Sequence, residues 1–310
     1  MHYISNNIYS CLYGGPGMLV VKRMHEVPLE EAVSVLHQND HDIFYDKERN
    51  IRHFAARFGR EGLSPVLSVV TYDQKQPVGF VLSGVREMGG EKVAWICENV
   101  VLPEYRDHHV REVMLDTVMA AFEEEGVTLA TLEVNAENEE MIDLYSHLDF
   151  EIVDRLLLLK GELYADDAED WPPSELTSFQ VEKSVAQEAR FFHDIRIVPW
   201  RNQWQSLRSD GELLTILDGN AQRVGHLIFK RRYDQSHNLS TVTIHQWRIE
   251  EDHPDAERIF SLGFRHLQSI IGKNVPVITS ILASDWQMVE RLESIGFLKM
   301  TEHVFMIKRF

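Results

Sequence analysis

One order of elements is written twice along these 310 residues, and few folds are compatible with it. In the first half, a strand at Met18–Arg23 and helices at Leu29–His37 and Lys47–Phe58 precede two alternating apolar runs, Val66–Tyr72 and Val78–Arg86. The polar turn Asp73-Gln-Lys-Gln76 joins those runs into a hairpin. A third strand follows at Lys92–Leu102, then a helix at Val110–Glu125 whose Val113, Met114, Val118, Ala121 and Phe122 share one face and which Gly126 stops. A buried strand at Leu129–Val134, a short helix at Glu139–Leu148 and a strand at Phe150–Leu159 complete the unit. The second half is read as helices at Val185–Asp194 and Trp200–Leu207, then a hairpin at Leu213–Asp218 and Val224–Arg231 turned by Gly219-Asn220. A strand at Thr241–Ile249, a helix at Asp255–Ile271, a strand at Val275–Leu282, a helix at Trp286–Ile295 and a strand at Phe297–Ile307 close it. The expected class is α/β (α+β), with a mixed central sheet flanked by helices in each half. A repeat of roughly 150 residues implies tandem domains rather than a solenoid.

The boundary falls at Gly161–Glu175, where six acids and Trp171-Pro172-Pro173 interrupt both periodicities. Prolines lack a donor and restrict the residue before them, so this stretch reads as an extended linker between domains 1–160 and 176–310. Charge divides at the same place, since residues 1–160 carry 27 acidic against 14 basic side chains, whereas residues 176–310 are nearly balanced. A net charge of −18 excludes a large nucleic-acid footprint and attraction to anionic lipid. An acidic first half would favour a cationic partner such as an amine, or serve solubility alone. Only Cys11 and Cys97 are present, without CxxC spacing, which fits a reducing cytoplasmic setting, and Cys97 reads as a small core residue. No run reaches the length of a membrane helix, and the start lacks the order of a secretory signal.

The chemistry concentrates at Glu98-Asn-Val-Val-Leu-Pro-Glu-Tyr-Arg106. A strand that ends in a Pro-bearing turn and feeds a helix presents unpaired N–H groups and the positive end of the helix dipole, which together form an anion site. Arg106, His108, His109 and Arg111 add basic groups there, although a solvated basic helix start is the competing reading.

Val101-Leu-Pro-Glu-Tyr-Arg106, Leu132-Glu-Val-Asn135, and Asn138-Glu-Glu-Met-Ile-Asp-Leu-Tyr145 followed by Phe150 resemble the GNAT superfamily of acyl-CoA-dependent N-acyltransferases over about Met18 to Lys160. The resemblance implies that the strand before the Pro turn splays from its neighbour and pairs with the pantetheine arm of acetyl-CoA through Asn99, Val100 and Val101. It places the pyrophosphate at Arg106, Asp107, His108, His109, Val110 and Arg111. Two departures stand against it: His109 and Arg111 occupy the places of the family's glycines, and Asp149 replaces the glycine of the usual Gly-Phe ending. A Cβ there would hinder close approach to phosphate, while imidazole and guanidinium would supply side-chain contacts instead.

By the same resemblance Glu98 is placed as a general base, Tyr145 as the acid toward the departing sulfur, and Asn138 beside the pantetheine arm. Each has a plainer reading: Glu98 as half of an ion pair, Tyr145 as hydrogen-bonded packing, Asn138 as a helix N-cap. The second half shares only element order and Gly296-Phe297, and its equivalent turn, Glu250–Glu257, is acidic. No second donor site is expected there. Tyr13–Gly17 reads as a flexible loop, and His37 with His41 lacks a third ligand, so no metal is expected. The expectation is an acetyl transfer to an amine of a small molecule or peptide, by a protein that can assemble with itself. A tandem module that binds or regulates without catalysis is the alternative.

Overall fold

A computed structural model describes residues 9–11, 19–39, 50–106, 109–162, 178–192 and 197–310. Tyr13–Gly17, His41, Asp107, His108 and nearly all of the linker, Trp171 included, lie outside the described residues.

The chain divides into two compact units. The first comprises Met1–Leu132, Glu139–Glu151 and Met306–Phe310. Its strands β1 (Tyr9–Cys11), β2 (Leu19–Arg23), β3 (Val69–Asp73), β4 (Gln76–Met88) and β5 (Glu91–Val101) pair antiparallel in chain order, and β6 (Leu129–Asn135) joins β5 in parallel. The hairpin turns at Gln74, whose φ is 55°. The helices are α1 (Leu29–Gln38), α2 (Ile51–Arg57), α3 (Val110–Glu125) and α4 (Glu139–His147). Ala32, Val33, Val35 and Leu36 give α1 its buried stripe. Helix α3 stops where expected, at Gly126 with φ 74°. Gly79 on β4 lets α3 lie close, because a Cβ there would meet Val100 O at 2.9 Å and Met114 Cε at 3.1 Å.

The second unit comprises Glu133–Asn138 and Ile152–Phe305. Strands β7 (Glu151–Glu162), β8 (Gln180–Val185), β9 (Gly211–Leu217), β10 (Arg223–Tyr233), β11 (Leu239–Ile249), β12 (Pro276–Leu282) and β13 (Leu298–Arg309) accompany helices α5 (Ala256–Ile271) and α6 (Trp286–Ser294). β8 to β11 form an antiparallel meander, β12 pairs in parallel with β11, and β7 pairs antiparallel along all of β12. Trp247 stacks on Phe260 of α5 at 4.5 Å and 18°.

The units depart from the sequence boundary at two strands. Ile152–Glu162 lies in the second unit and Met306–Phe310 in the first. Pairing decides this: Leu156–Glu162 sits opposite Leu282–Pro276, and Leu159 is buried in the core with Val277 and Phe297. Phe310 N donates to Thr128 O at 3.1 Å, and its ring meets Phe122 edge-on at 6.5 Å. The helices expected at Val185–Asp194 and Trp200–Leu207 are not α-helices. Val185 ends strand β8, which the sequence reading missed, and Ala186–Phe191, Trp200–Asn202 and Trp204–Leu207 are 3₁₀ turns. Trp200 is wholly buried, and its apolar periodicity reflects a packed strap. Helix α2 also begins later than expected, at Ile51, because the Asn50 side chain caps it by accepting from His53 N at 3.1 Å.

Candidate functional site

Strand β5 makes a bulge and then leaves its neighbour. Leu82 faces Glu98 while Ser83 faces Ile96, so Cys97 is the extra residue. Parallel pairing with β6 covers only Val93–Trp95 against Leu129–Thr131, although β5 continues to Val101. The two strands open into a split. Leu102 N donates to Val78 O at 2.9 Å, so the alternation of a strand turns the main-chain groups of Val100 toward β4 and those of Asn99 and Val101 toward the split. Val101 O accepts from the Asn39 side chain at 3.0 Å, which leaves Asn99 and the Val101 N–H as the groups a ligand strand would use.

Pro103 then ends the ladder, and the 3₁₀ turn Pro103–Tyr105 delivers the chain to α3. His109 is the N-cap of α3 with φ 55° and ψ 20°. This is left-handed backbone, the conformation for which glycine is suited, so the turn keeps its shape with a histidine in it. The His109 ring is exposed and its Nδ1 lies 3.1 Å from Glu112 Oε1. Asp149 repeats the pattern with φ 63°: Phe150 N and Asp149 N donate to Tyr145 O and Ser146 O, closing α4 as a glycine would. His109 and Asp149 therefore stand on backbone that has kept the glycine conformation, whereas Arg111 lies in the right-handed first turn of α3.

Val110 is buried, and Arg111 in the first turn of α3 gives Nη1 to Glu140 Oε1 at 2.7 Å while its Nε is buried without a hydrogen bond. Arg106 gives Nη2 to Asn39 Oδ1 at 3.1 Å, so Asn39 ties the turn to the end of β5. Left-handed backbone at His109, a helix N-terminus beside it and an incompletely bonded Arg111 together fit a diphosphate-bearing acyl donor.

The alternation of β5 sends Asn99 and Glu98 to opposite faces. On one face lies Tyr145, 4% exposed and the one buried side chain of α4, with its ring edge-on to Phe150 at 5.7 Å. Burial pushes the phenol up to about 12, against smaller opposing effects of the Asn99 amide and the Arg111 charge. The Asn99 amide is buried beside this hydroxyl, yet neither of its polar atoms completes a hydrogen bond of good geometry. On the other face Glu98 Oε2 accepts from Arg57 Nη1 at 2.5 Å. Arg57 also binds Glu61, Nε to Oε1 at 3.0 Å, and reaches Cys97 Sγ at 3.1 Å. Cys97 is thus a half-buried member of a polar cluster and not the core residue expected. Burial would lower the Arg57 pKa, but the Cys97, Glu98 and Glu61 charges more than offset it, so the guanidinium stays charged. Asn138, exposed just before α4, falls by compactness in the second unit.

The second unit repeats this framework without its chemistry. Ile228 faces Gln246 while Phe229 faces Ile244, so β11 bulges at His245 as β5 does at Cys97. Parallel pairing again stops after three residues, Val242–Ile244 against Val277–Thr279. Gly225, like Gly79, sits under the helix, where a Cβ would meet Arg248 O and Ile259 Cγ2 at 3.0 Å. Phe297 N donates to Leu292 O as Phe150 N does to Tyr145 O. By these registers Gln246 stands for Glu98, Trp247 for Asn99 and Leu292 for Tyr145. The split is also bridged. Asn202 Nδ2 donates to Ser280 O at 3.0 Å, Asn202 Oδ1 accepts from Ser280 Oγ at 2.8 Å, and Asn202 O accepts from Gln246 Nε2 at 2.6 Å. His245 beside it is held neutral, its pKa pushed down to about 3 by burial and by Lys230 and Arg201.

Sequence reasoning singled out the strand, the turn and Tyr145, which the fold brings near one another, and did not single out Asn39, Arg57, Glu61, Glu140 and Asn202, which bond to them or to the equivalent strand of the second unit. Arg57 and Glu61 carried a signal as an opposite-charge pair at i,i+4; the others act across the fold and carried none.

Residues 30–150 match the model of the acetyltransferase (GNAT) family. Curated proteins yield no match to the sequence. Among solved structures, a tandem GNAT protein from the clavulanic acid biosynthesis pathway is 10% identical with a TM-score of 0.56 over 78% of this chain and 82% of that one. A GCN5-related N-acetyltransferase from Sphaerobacter thermophilus is 11% identical, with a TM-score of 0.60 over 94% of this chain and 95% of that one. A putative acetyltransferase from Pyrococcus horikoshii is 15% identical, with a TM-score of 0.58 over 100% and 94%. At these identities the likeness is one of fold.

Proposed function

We propose that this chain, whose residues 30–150 match the GNAT acetyltransferase family and which carries that fold in tandem, uses its first unit to move an acetyl group from acetyl-CoA to an amine of a small molecule or peptide in the cytoplasm. The observation that carries the reading is the β5–β6 split, with Tyr145 on one face of β5 and Glu98 on the other. Acetyl-CoA, when bound, supplies an activated thioester. Asn99 and the Val101 N–H offer main-chain partners along the split, while the α3 N-terminus and Arg111 receive the anionic end. Tyr145 keeps its proton at neutral pH and is thereby a donor toward a departing thiolate. Glu98 is the carboxylate available to take the acceptor's proton.

The test is titration of the intact chain with acetyl-CoA, followed by release of free thiol against a panel of amines. Micromolar binding is expected, with Tyr145→Phe lowering turnover by about 100-fold at unchanged donor affinity. Absence of binding at millimolar acetyl-CoA would overturn the proposal. A non-catalytic role is favoured only for the second unit, where Gln246 and Leu292 replace the proton-handling groups and Asn202 bridges the split.

A further inference from the structure

The guanidinium behind Glu98 is built with more care than a surface ion pair requires. Phe54 pins α2 to the sheet, meeting Phe80 edge-on at 5.9 Å. Beyond Arg57 the chain winds into a π-helical turn, Phe58–Gly62, a geometry that recurs at functional sites. Arg86 Nη2 fixes that turn by donating to Glu61 O at 2.9 Å. The turn brings Glu61 under Arg57, where it accepts from Nε at 3.0 Å and from Nη2 at 3.4 Å. With that edge occupied, Nη1 is directed at Glu98 Oε2, 2.5 Å away, and Nη2 also reaches Cys97 Sγ on the bulge. The Arg57 and Glu98 side chains are 15% and 16% exposed, so water screens them little. Glu98 Oε1 accepts no hydrogen bond among the described residues.

We infer that Arg57, oriented by Glu61, is a positioning residue for acyl transfer: it holds Glu98 by Oε2 and leaves Oε1 for the nitrogen of an acceptor that arrives as an ammonium ion. This rests on the acyl-transfer reading of the first unit. Two carboxylates and the guanidiniums of Arg57 and Arg86 leave this cluster formally neutral, so selection of the ammonium rests on Glu98 Oε1 itself. The proton balance is simple. One ammonium proton passes to Glu98 Oε1, the freed nitrogen pair forms the new C–N bond as the thioester C–S bond breaks, the thiolate takes the Tyr145 proton, and the second proton that the nitrogen sheds in becoming an amide returns through solvent to the Tyr145 oxygen. Among the described residues, Arg57, Glu61 and Cys97 are the charged or titratable groups gathered around Glu98, and Arg86 stands behind Glu61.

The experiment compares the full chain with Arg57→Lys, Arg57→Met and Glu61→Gln. Acetyl-CoA affinity is read by calorimetry, turnover by thiol release over pH with the amine panel, and Glu98 ionisation by carboxyl ¹³C titration assigned with Glu98→Gln. For Arg57→Met the expected result is donor affinity within about 2-fold and kcat lower by about 10–100-fold. The acid limb of kcat/KM and the Glu98 carboxyl resonance should both differ from those of the unaltered chain. Arg57→Lys should restore part of both, because it returns the charge without the fork. Unchanged kcat with an unchanged acid limb overturns the inference. So does an equal loss in both Arg57 variants with an unmoved Glu98 titration, which would mark a packing role. If the wild-type chain acetylates no amine, the acyl-transfer reading fails on its own, while the Glu98 titration still decides whether Arg57 sets that carboxylate.

Discussion

Deleting Met306–Phe310 removes five residues from the end of the chain, and the structure predicts that the first unit will suffer for it. Met306 is completely buried, Phe310 N and Lys308 Nζ donate to Thr128 O and Leu148 O, and Phe310 packs edge-on against Phe122. Losing a fully buried methionine side chain costs about 2–5 kcal/mol once the cavity is included. Two hydrogen bonds add about 1 kcal/mol each, and the aromatic pair about 0.5–1.5 kcal/mol. The total, about 5–8 kcal/mol, is a large part of the 5–15 kcal/mol that holds a typical domain together. Urea denaturation followed by amide exchange would read the effect separately in each unit. Protection at Leu129–Leu132 should fall steeply while that of β10 and α5 persists. Met306→Ala should cost about 2–5 kcal/mol, whereas Leu298→Ala, at a site 73% exposed, should cost no more than about 0.5 kcal/mol. A shortened chain with the same urea midpoint and unchanged protection at β6 would refute the assignment of these residues to the first unit. A fragment ending at Glu162 lacks them as well, so it should fold only when a peptide spanning Leu298–Phe310 is added.

Three further outcomes are expected. Because burial raises Tyr145 from 10.0 to about 12, the neutral phenol stabilises the fold below pH ~10, and that stabilisation, about 2–3 kcal/mol, is lost as pH rises to ~12. Denaturant curves at pH 9 and 12 should show this loss in the wild type and not in Tyr145→Phe; an identical loss in both would refute it. Since His109 has left-handed backbone, His109→Val should cost about 1–2 kcal/mol while His109→Gly costs nothing and tightens acetyl-CoA binding. Equal melting of the two variants would count against the backbone assignment. Calorimetry should give one acetyl-CoA per chain, because Asn202 bridges the second split; two sites per chain would show that the bridge opens.

The sequence by itself determined whatever depends on neighbours in the chain. Alternation at Val78–Arg86 made a strand, Gly126 stopped α3, Pro103 ended β5, and Gly296-Phe297 marked the close of α6, because each acts within a turn or a pleat of itself. The repeated order of these elements and the motif from Glu98 to Tyr145 were enough to indicate the family. Burial and pairing across the fold settled the rest. A strand pattern does not name its partner, so Ile152–Glu162 and Met306–Phe310 could be assigned to their units only by the ladders and cores they join. Apolar spacing does not separate a helix from a strap of 3₁₀ turns, and Trp200 looked helical because it is buried. The bulge at Cys97 is invisible in sequence, yet it turns that residue from core packing toward Arg57. Whether Glu98 meets solvent, a substrate or a guanidinium depends on a residue 41 positions away. Only tertiary structure brings such pairs together, because distance along the chain sets no limit on distance in the fold.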